Sequence, residues 1–253
     1  MNKSVRGSEW DKCDLHVHTP KSIIQKYGGD SENNLIEQLE VKFLQKSDPA
    51  VALQQKKYMR NQFEFFGIQS ADRREIQKLF FTPDHLPAKN ELGSTLGMLW
   101  CKPQREFQYF AQEMAYKFCK QQELSDINLY EYMVTTKSWW DTVDFIASRL
   151  MGEYFTRFPE QRKPYVQKWT TSDNIWLKRS ALLFQLNYKR QTDEILLAAT
   201  IRSILPSSEF FICKAVGWAL RSYSKVNPEW VTHFVEQTPL PPLSRREAVR
   251  LII

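Results

Sequence analysis

The sequence predicts an all-α protein, an α-solenoid of stacked two-helix repeats, on three observations: sparse glycine, prolines spaced as punctuation, and aromatic helix starts that recur at nearly constant intervals. Eight glycines in 253 residues, with 42% hydrophobic content set among Gln, Glu, Lys and Arg, favour helix over strand. No run of period-two alternation marks a strand. Pro49, Pro83, Pro87, Pro103, Pro159, Pro164, Pro206, Pro228 and the cluster at 239–242 divide the chain into about a dozen short helices.

Residues 1–31 read as an N-terminal appendage, with Gly7, Gly28 and Gly29 around Cys13-Asp-Leu-His16-Val-His18-Thr-Pro. That segment resembles the opening His-x-His motif of PHP-type metal-dependent phosphoesterases. The only other histidines are His85 and His233, too few to complete such a site, so no metal is expected. The segment reads as a truncated remnant, a fused fragment or the product of an incorrectly placed start codon.

The body, residues 32–253, carries the repeats. Helix starts are expected at Ser47-Asp-Pro-Ala50, Lys102-Pro-Gln-Arg-Glu-Phe107, Ser172-Asp-Asn-Ile-Trp176 and Ser207-Ser-Glu-Phe-Phe211, where polar caps or Pro precede apolar periodicity. Glu106-Phe107, Trp139-Trp140, Ile175-Trp176 and Phe210-Phe211 open helices at intervals of 33, 36 and 35 residues. A two-helix unit of that length cannot bury its apolar face alone and must stack on its neighbours, as in HEAT and armadillo arrays. Stacking predicts a curved, ARM-repeat-like superhelix with short loops between antiparallel helices.

Composition narrows the function. Thirty-five Lys and Arg against 29 Asp and Glu give a net charge of +6, which suits a polyanionic partner. No apolar stretch approaches the ~18 residues of a membrane span, and the N-terminus lacks a secretory signal, so a cytoplasmic protein is expected. Cys13, Cys101, Cys119 and Cys213 form no Cys-x-x-Cys pair, which argues against a zinc ribbon, an iron–sulfur cluster or a redox motif.

One constellation carries chemistry. In Thr-Lys-Ser-Trp-Trp-Asp-Thr-Val-Asp, residues 136–144, Trp140 and Asp144 are four apart and share a helix face. Arg179 follows Asp144 by 35 residues, and Lys214 follows Arg179 by 35, so superposed repeats place all three on one face. Trp218 and Arg221, three apart, add a second aromatic beside a second cation. By spacing alone, Trp139 and Trp140 read as core anchors and Asp144 as a solvated or capping carboxylate.

The motifs at 58–68 (Tyr-Met-Arg-Asn-Gln-Phe-Glu-Phe-Phe-Gly-Ile) with Arg73-Arg74, at 136–144, at 172–179 and at 210–221 together resemble the DNA alkylation repair enzymes of the AlkD type, from about residue 35 to the chain end. The resemblance implies a HEAT-like-repeat glycosylase acting on N3- and N7-alkylated purines in double-stranded DNA. It implies that Trp140 and Trp218 flank the damaged nucleotide and that Asp144 is the catalytic carboxylate. Arg179, Arg221 and the aromatic Tyr58 fall on the family's DNA-contacting positions, and Lys214 joins them by its repeat position. It further implies that the lesion is engaged from the backbone side rather than extruded into a pocket.

The chemistry suits those residues. An N3- or N7-alkylated purine is cationic and leaves without strong protonation, and a carboxylate stabilises the oxocarbenium character that grows on the sugar. Indole faces attract a cationic base. No cofactor is expected, no lysine is placed beside Asp144 for a Schiff-base lyase, and the enzyme is expected to act as a monomer. The competing expectation is a non-catalytic HEAT-like scaffold that grips DNA or a protein through basic side chains.

Overall fold

The computed structural model describes residues 30–205 and 207–252; the His16-Val-His18 motif lies outside them. Among the described residues the chain is all-helical, and its sole extended pairing is an isolated parallel bridge between Glu64 and Gln104. The described residues fall into two compact units, one running to Phe118 and the other starting at Cys119. Among the described residues no helix is long and apolar enough to cross a membrane.

The first unit holds α1 (Asp30–Gln45), α2 (Pro49–Tyr58), α3 (Ser70–Phe80), α4 (Leu92–Cys101) and α5 (Arg105–Lys117). The expected start at residue 47 forms as read: Asp48 caps α2, accepting from the Ala50 and Val51 amides, with Pro49 at the first helical position. The start expected at Pro103 falls two residues later, because Gln104 is extended and the Arg105 amide donates to the Glu64 carbonyl at 2.8 Å. Phe107 packs edge to face on Phe43 and Phe66, which are tilted against each other, with centroids 5.3–5.7 Å apart, and the three rings lie in the core of the unit.

Beside that core the Glu106 carboxylate is buried and accepts the amides of Phe66, Gly67 and Ile68 at 3.0–3.2 Å. Burial pushes its pKa up, against the pull of those amides. The bend needs glycine: Gly67 has φ +87°, and a Cβ there would stand 2.0 Å from the Asp48 carbonyl oxygen.

The second unit contains α6 (Asp126–Thr135), α7 (Trp140–Phe145), a π-helical stretch (Ile146–Met151), α8 (Gly152–Arg157), α9 (Arg162–Thr171), α10 (Ile175–Leu183), α11 (Glu194–Ile204), α12 (Phe210–Ser224), α13 (Pro228–Gln237) and α14 (Pro242–Ala248). Helix α7 packs on α10, α10 on α12 and α12 on α14, forming one layer; α9 on α11 belongs to the other. These are the stacked two-helix repeats expected from the 35-residue spacing. Asn174 caps α10, as its sequence signal implies, by accepting from the Trp176 and Leu177 amides.

The aromatic helix starts explain the stacking. Trp139 lies against Trp176 (5.7 Å) and Phe211 (5.3 Å), and Trp176 against Phe211 (5.0 Å), so the leading ends of α7, α10 and α12 are joined by their rings. This gives Trp139 the packing role its position suggests. Its indole N–H has no hydrogen-bond partner among the described residues.

Candidate active site

Asp144 sits one turn after Trp140 on α7, where the α-helix gives way to the π stretch. The wider π turn leaves backbone carbonyls for side chains to fill. Asn187 donates to the Ser148 carbonyl at 2.8 Å and Gln122 to that of Leu150 at 3.0 Å, while the Ser148 hydroxyl donates to the Asp144 carbonyl at 2.6 Å. π turns inside α-helices occur frequently at functional positions.

The Asp144 carboxylate receives a two-pronged bond from Arg179 on α10: Nε to Oδ1 at 2.6 Å and Nη2 to Oδ2 at 2.8 Å. Arg179 Nη1 donates to the Phe211 carbonyl on α12 at 2.5 Å. One guanidinium thus ties three consecutive helices of the layer. Its side chain is 6% exposed and that of Asp144 16%. The fork engages Nε, Nη1 and Nη2 of Arg179, which the sequence reading gave to DNA contact, with protein partners on α7 and α12.

Burial pushes the Asp144 carboxyl above its ordinary value, Arg179 pulls it down through hydrogen bonds and charge, and Asp141 adds a smaller upward push. Both carboxyl oxygens accept N–H donors from one guanidinium, and this geometry belongs to the carboxylate. The site therefore holds a desolvated anion.

Helix α12 presents a half-buried stripe of Phe211, Lys214, Trp218 and Arg221 at helical spacing, between the buried Ile212, Cys213, Ala215, Val216, Gly217, Ala219 and Leu220. Glu247 on α14 accepts from Lys214 Nζ at 2.8 Å and from Arg221 Nη1 at 2.5 Å. Gly217 makes room for it, since a Cβ there would stand 2.5 Å from the Glu247 Cβ. Tyr58, the last residue of α2, is 70% exposed and belongs to the first unit.

The structure joins Asp144 to Arg179 directly, and Lys214 to Arg221 through Glu247; Trp140 lies one turn from Asp144, and Trp218 lies between the two cations on α12. Glu247, the Phe211 carbonyl and the π turn were absent from the sequence reading. A helix-interior glycine costs about 1 kcal/mol against alanine, so Gly217 was the one signal that a neighbour packs close.

The model of the DNA alkylation repair enzyme family matches residues 39–252. The chain belongs to that family. A solved structure described as a predicted DNA alkylation repair enzyme from Enterococcus faecalis shares 31% identity, with a TM-score of 0.76, over 82% of this chain and 97% of its own. No curated protein matches. As a DNA alkylation repair family member the chain has DNA as its partner, and the expected helical-repeat fold is the one found. Among the described residues no group of three or more His, Cys, Asp or Glu is placed to hold a metal ion.

Proposed function

We propose that this family member is a monofunctional DNA glycosylase that hydrolyses the N-glycosidic bond of cationic N3- or N7-alkylated purines in duplex DNA. The observation that carries the reading is the Asp144 carboxylate, desolvated yet held as an anion by the Arg179 fork, one helical turn from Trp140.

The alkylated base departs with its bonding electrons and becomes neutral. Asp144 stabilises the positive charge that develops on the deoxyribose and orients the attacking water, whose proton it accepts. A low local dielectric strengthens that interaction, and fixing the carboxylate in advance removes the reorganisation cost. Arg179 is a positioning residue here, with Nε, Nη1 and Nη2 all engaged inside the protein.

Trp140 and Trp218 offer indole faces to the cationic nucleoside, each worth about 0.5–2 kcal/mol by cation–π attraction. Lys214, Arg221 and Tyr58 contact the DNA backbone and set register without reading sequence.

Chromatographic assay of bases freed from methylated duplex DNA tests the reading. Release of 7-methylguanine or 3-methyladenine that leaves abasic strands uncut supports it; strand cleavage coupled to release removes "monofunctional", and binding without release removes the enzyme. A non-catalytic scaffold would tolerate Asp144→Asn, whereas the glycosylase reading expects base release to collapse with it while DNA is still bound; both readings expect Arg221→Glu to weaken DNA binding.

A further inference from the structure

Lys214 and Arg221 stand seven residues apart on α12, about 10 Å along the axis, yet converge on the two oxygens of one carboxylate. Both long side chains must lean toward the middle of the helix, where Trp218 lies. Glu247 itself has little freedom. Its side chain is 11% exposed against 38% for Lys214 and 24% for Arg221, and its Cβ rests where Gly217 leaves room. The bridge uses one of the three Lys donors and one of the five Arg donors.

We infer that Glu247 is a positioning residue for DNA binding: it fixes Lys214 and Arg221 on either side of Trp218, so that two phosphate-contacting cations are held before DNA arrives. This rests on the reading of Lys214 and Arg221 as backbone contacts. Ordering two flexible cations in advance removes part of the entropy cost of binding. It opposes simple electrostatics, by which a carboxylate next to phosphate-binding cations weakens binding.

The two roles give opposite signs. Glu247→Gln raises the net charge by one, so a mere counter-ion predicts tighter binding. Positioning predicts weaker binding, by about tenfold for one lost charge-assisted contact. Glu247→Asp keeps the charge and shortens the reach: positioning predicts weakening, whereas a counter-ion role predicts wild-type affinity.

The test is a fluorescence-anisotropy titration of a labelled duplex oligonucleotide against salt, with full-length wild type, Glu247→Gln, Glu247→Asp, Lys214→Ala/Arg221→Ala and that double variant carrying Glu247→Gln. Thermal unfolding establishes that each variant is folded. The inference expects both Glu247 variants to bind more weakly, with the log–log salt slope reduced by about one. It also expects the Glu247→Gln effect to vanish in the double-variant background. Tighter or unchanged binding by Glu247→Gln, or an effect that persists without the two cations, overturns it. If Lys214→Ala/Arg221→Ala leaves affinity and salt slope unchanged, the underlying DNA-contact reading fails, a result distinct from failure of the Glu247 variants alone.

Discussion

Arg179 donates to both oxygens of Asp144, at 2.6 and 2.8 Å, while its remaining nitrogen holds the Phe211 carbonyl. The helix that carries the carboxylate, the helix that orients it and the helix that carries Trp218 are therefore fastened at one point. Removing the fork leaves a buried carboxylate without its partner.

The expected outcome for Arg179→Lys follows from geometry: an ammonium cannot grip both oxygens in a planar fork. The Asp144 pKa, already raised by burial, rises further as the stabilising hydrogen bonds are lost. Activity that needs the anion falls as pH drops through that pKa, so the acidic limb of kcat against pH moves upward. An acidic limb that stays in place or moves down contradicts this account.

Trp139 and Trp140 separate by substitution. The indole N–H of Trp139 has no hydrogen-bond partner among the described residues, and its ring packs on Trp176 and Phe211. Trp139→Phe keeps an aromatic ring and removes no hydrogen bond, so unfolding free energy changes by no more than about 1 kcal/mol and base release persists. Trp140→Ala removes an indole face from the site and lowers base release. Urea unfolding beside the release assay reads both.

These two residues mark what the sequence revealed. The helix caps at Asp48 and Asn174, the aromatic starts and the 35-residue period are local features, and each was legible because a cap or a stripe lies within a few residues of its own effect. The Asp144–Arg179 pairing was half legible: the spacing put both on one face, but spacing does not say that the guanidinium turns inward. Glu247 was not legible as a partner of Lys214 and Arg221, 33 and 26 residues away, because no periodicity encodes which carboxylate on the next helix reaches back. The π turn was equally hidden among the ordinary helix formers of Ile146–Met151.

Gly217 tests that close approach. Its alanine variant brings a Cβ to 2.5 Å from the Glu247 Cβ and 3.0 Å from the Ser244 carbonyl, so α12 and α14 must part. The gain in helix propensity, about 1 kcal/mol, is outweighed by overpacking of about 1–3 kcal/mol. The variant is expected to unfold at lower urea, and a rise in midpoint would show that the helices are less closely apposed.

Glu247 gives a pH signature in stability. Lys214 first, then Arg221 and Arg250, hold its pKa below the ordinary 4.5, against the upward push of burial. A depressed folded-state pKa stabilises the fold above the unfolded value, and the contribution is lost as pH falls through the folded value. The stability difference between wild type and Glu247→Gln is therefore present at neutral pH and shrinks below about pH 4.5. A difference that grows on acidification contradicts the assignment.

The central claim is tested most directly by single-turnover release of 7-methylguanine from methylated duplex DNA, with enzyme saturating, for wild type beside Asp144→Asn. The account predicts a rate lower by about a hundredfold or more in the variant, the scale of losing a transition-state charge partner, while DNA affinity is maintained. Wild-type release by Asp144→Asn, or no release by either protein with DNA fully bound, would contradict it.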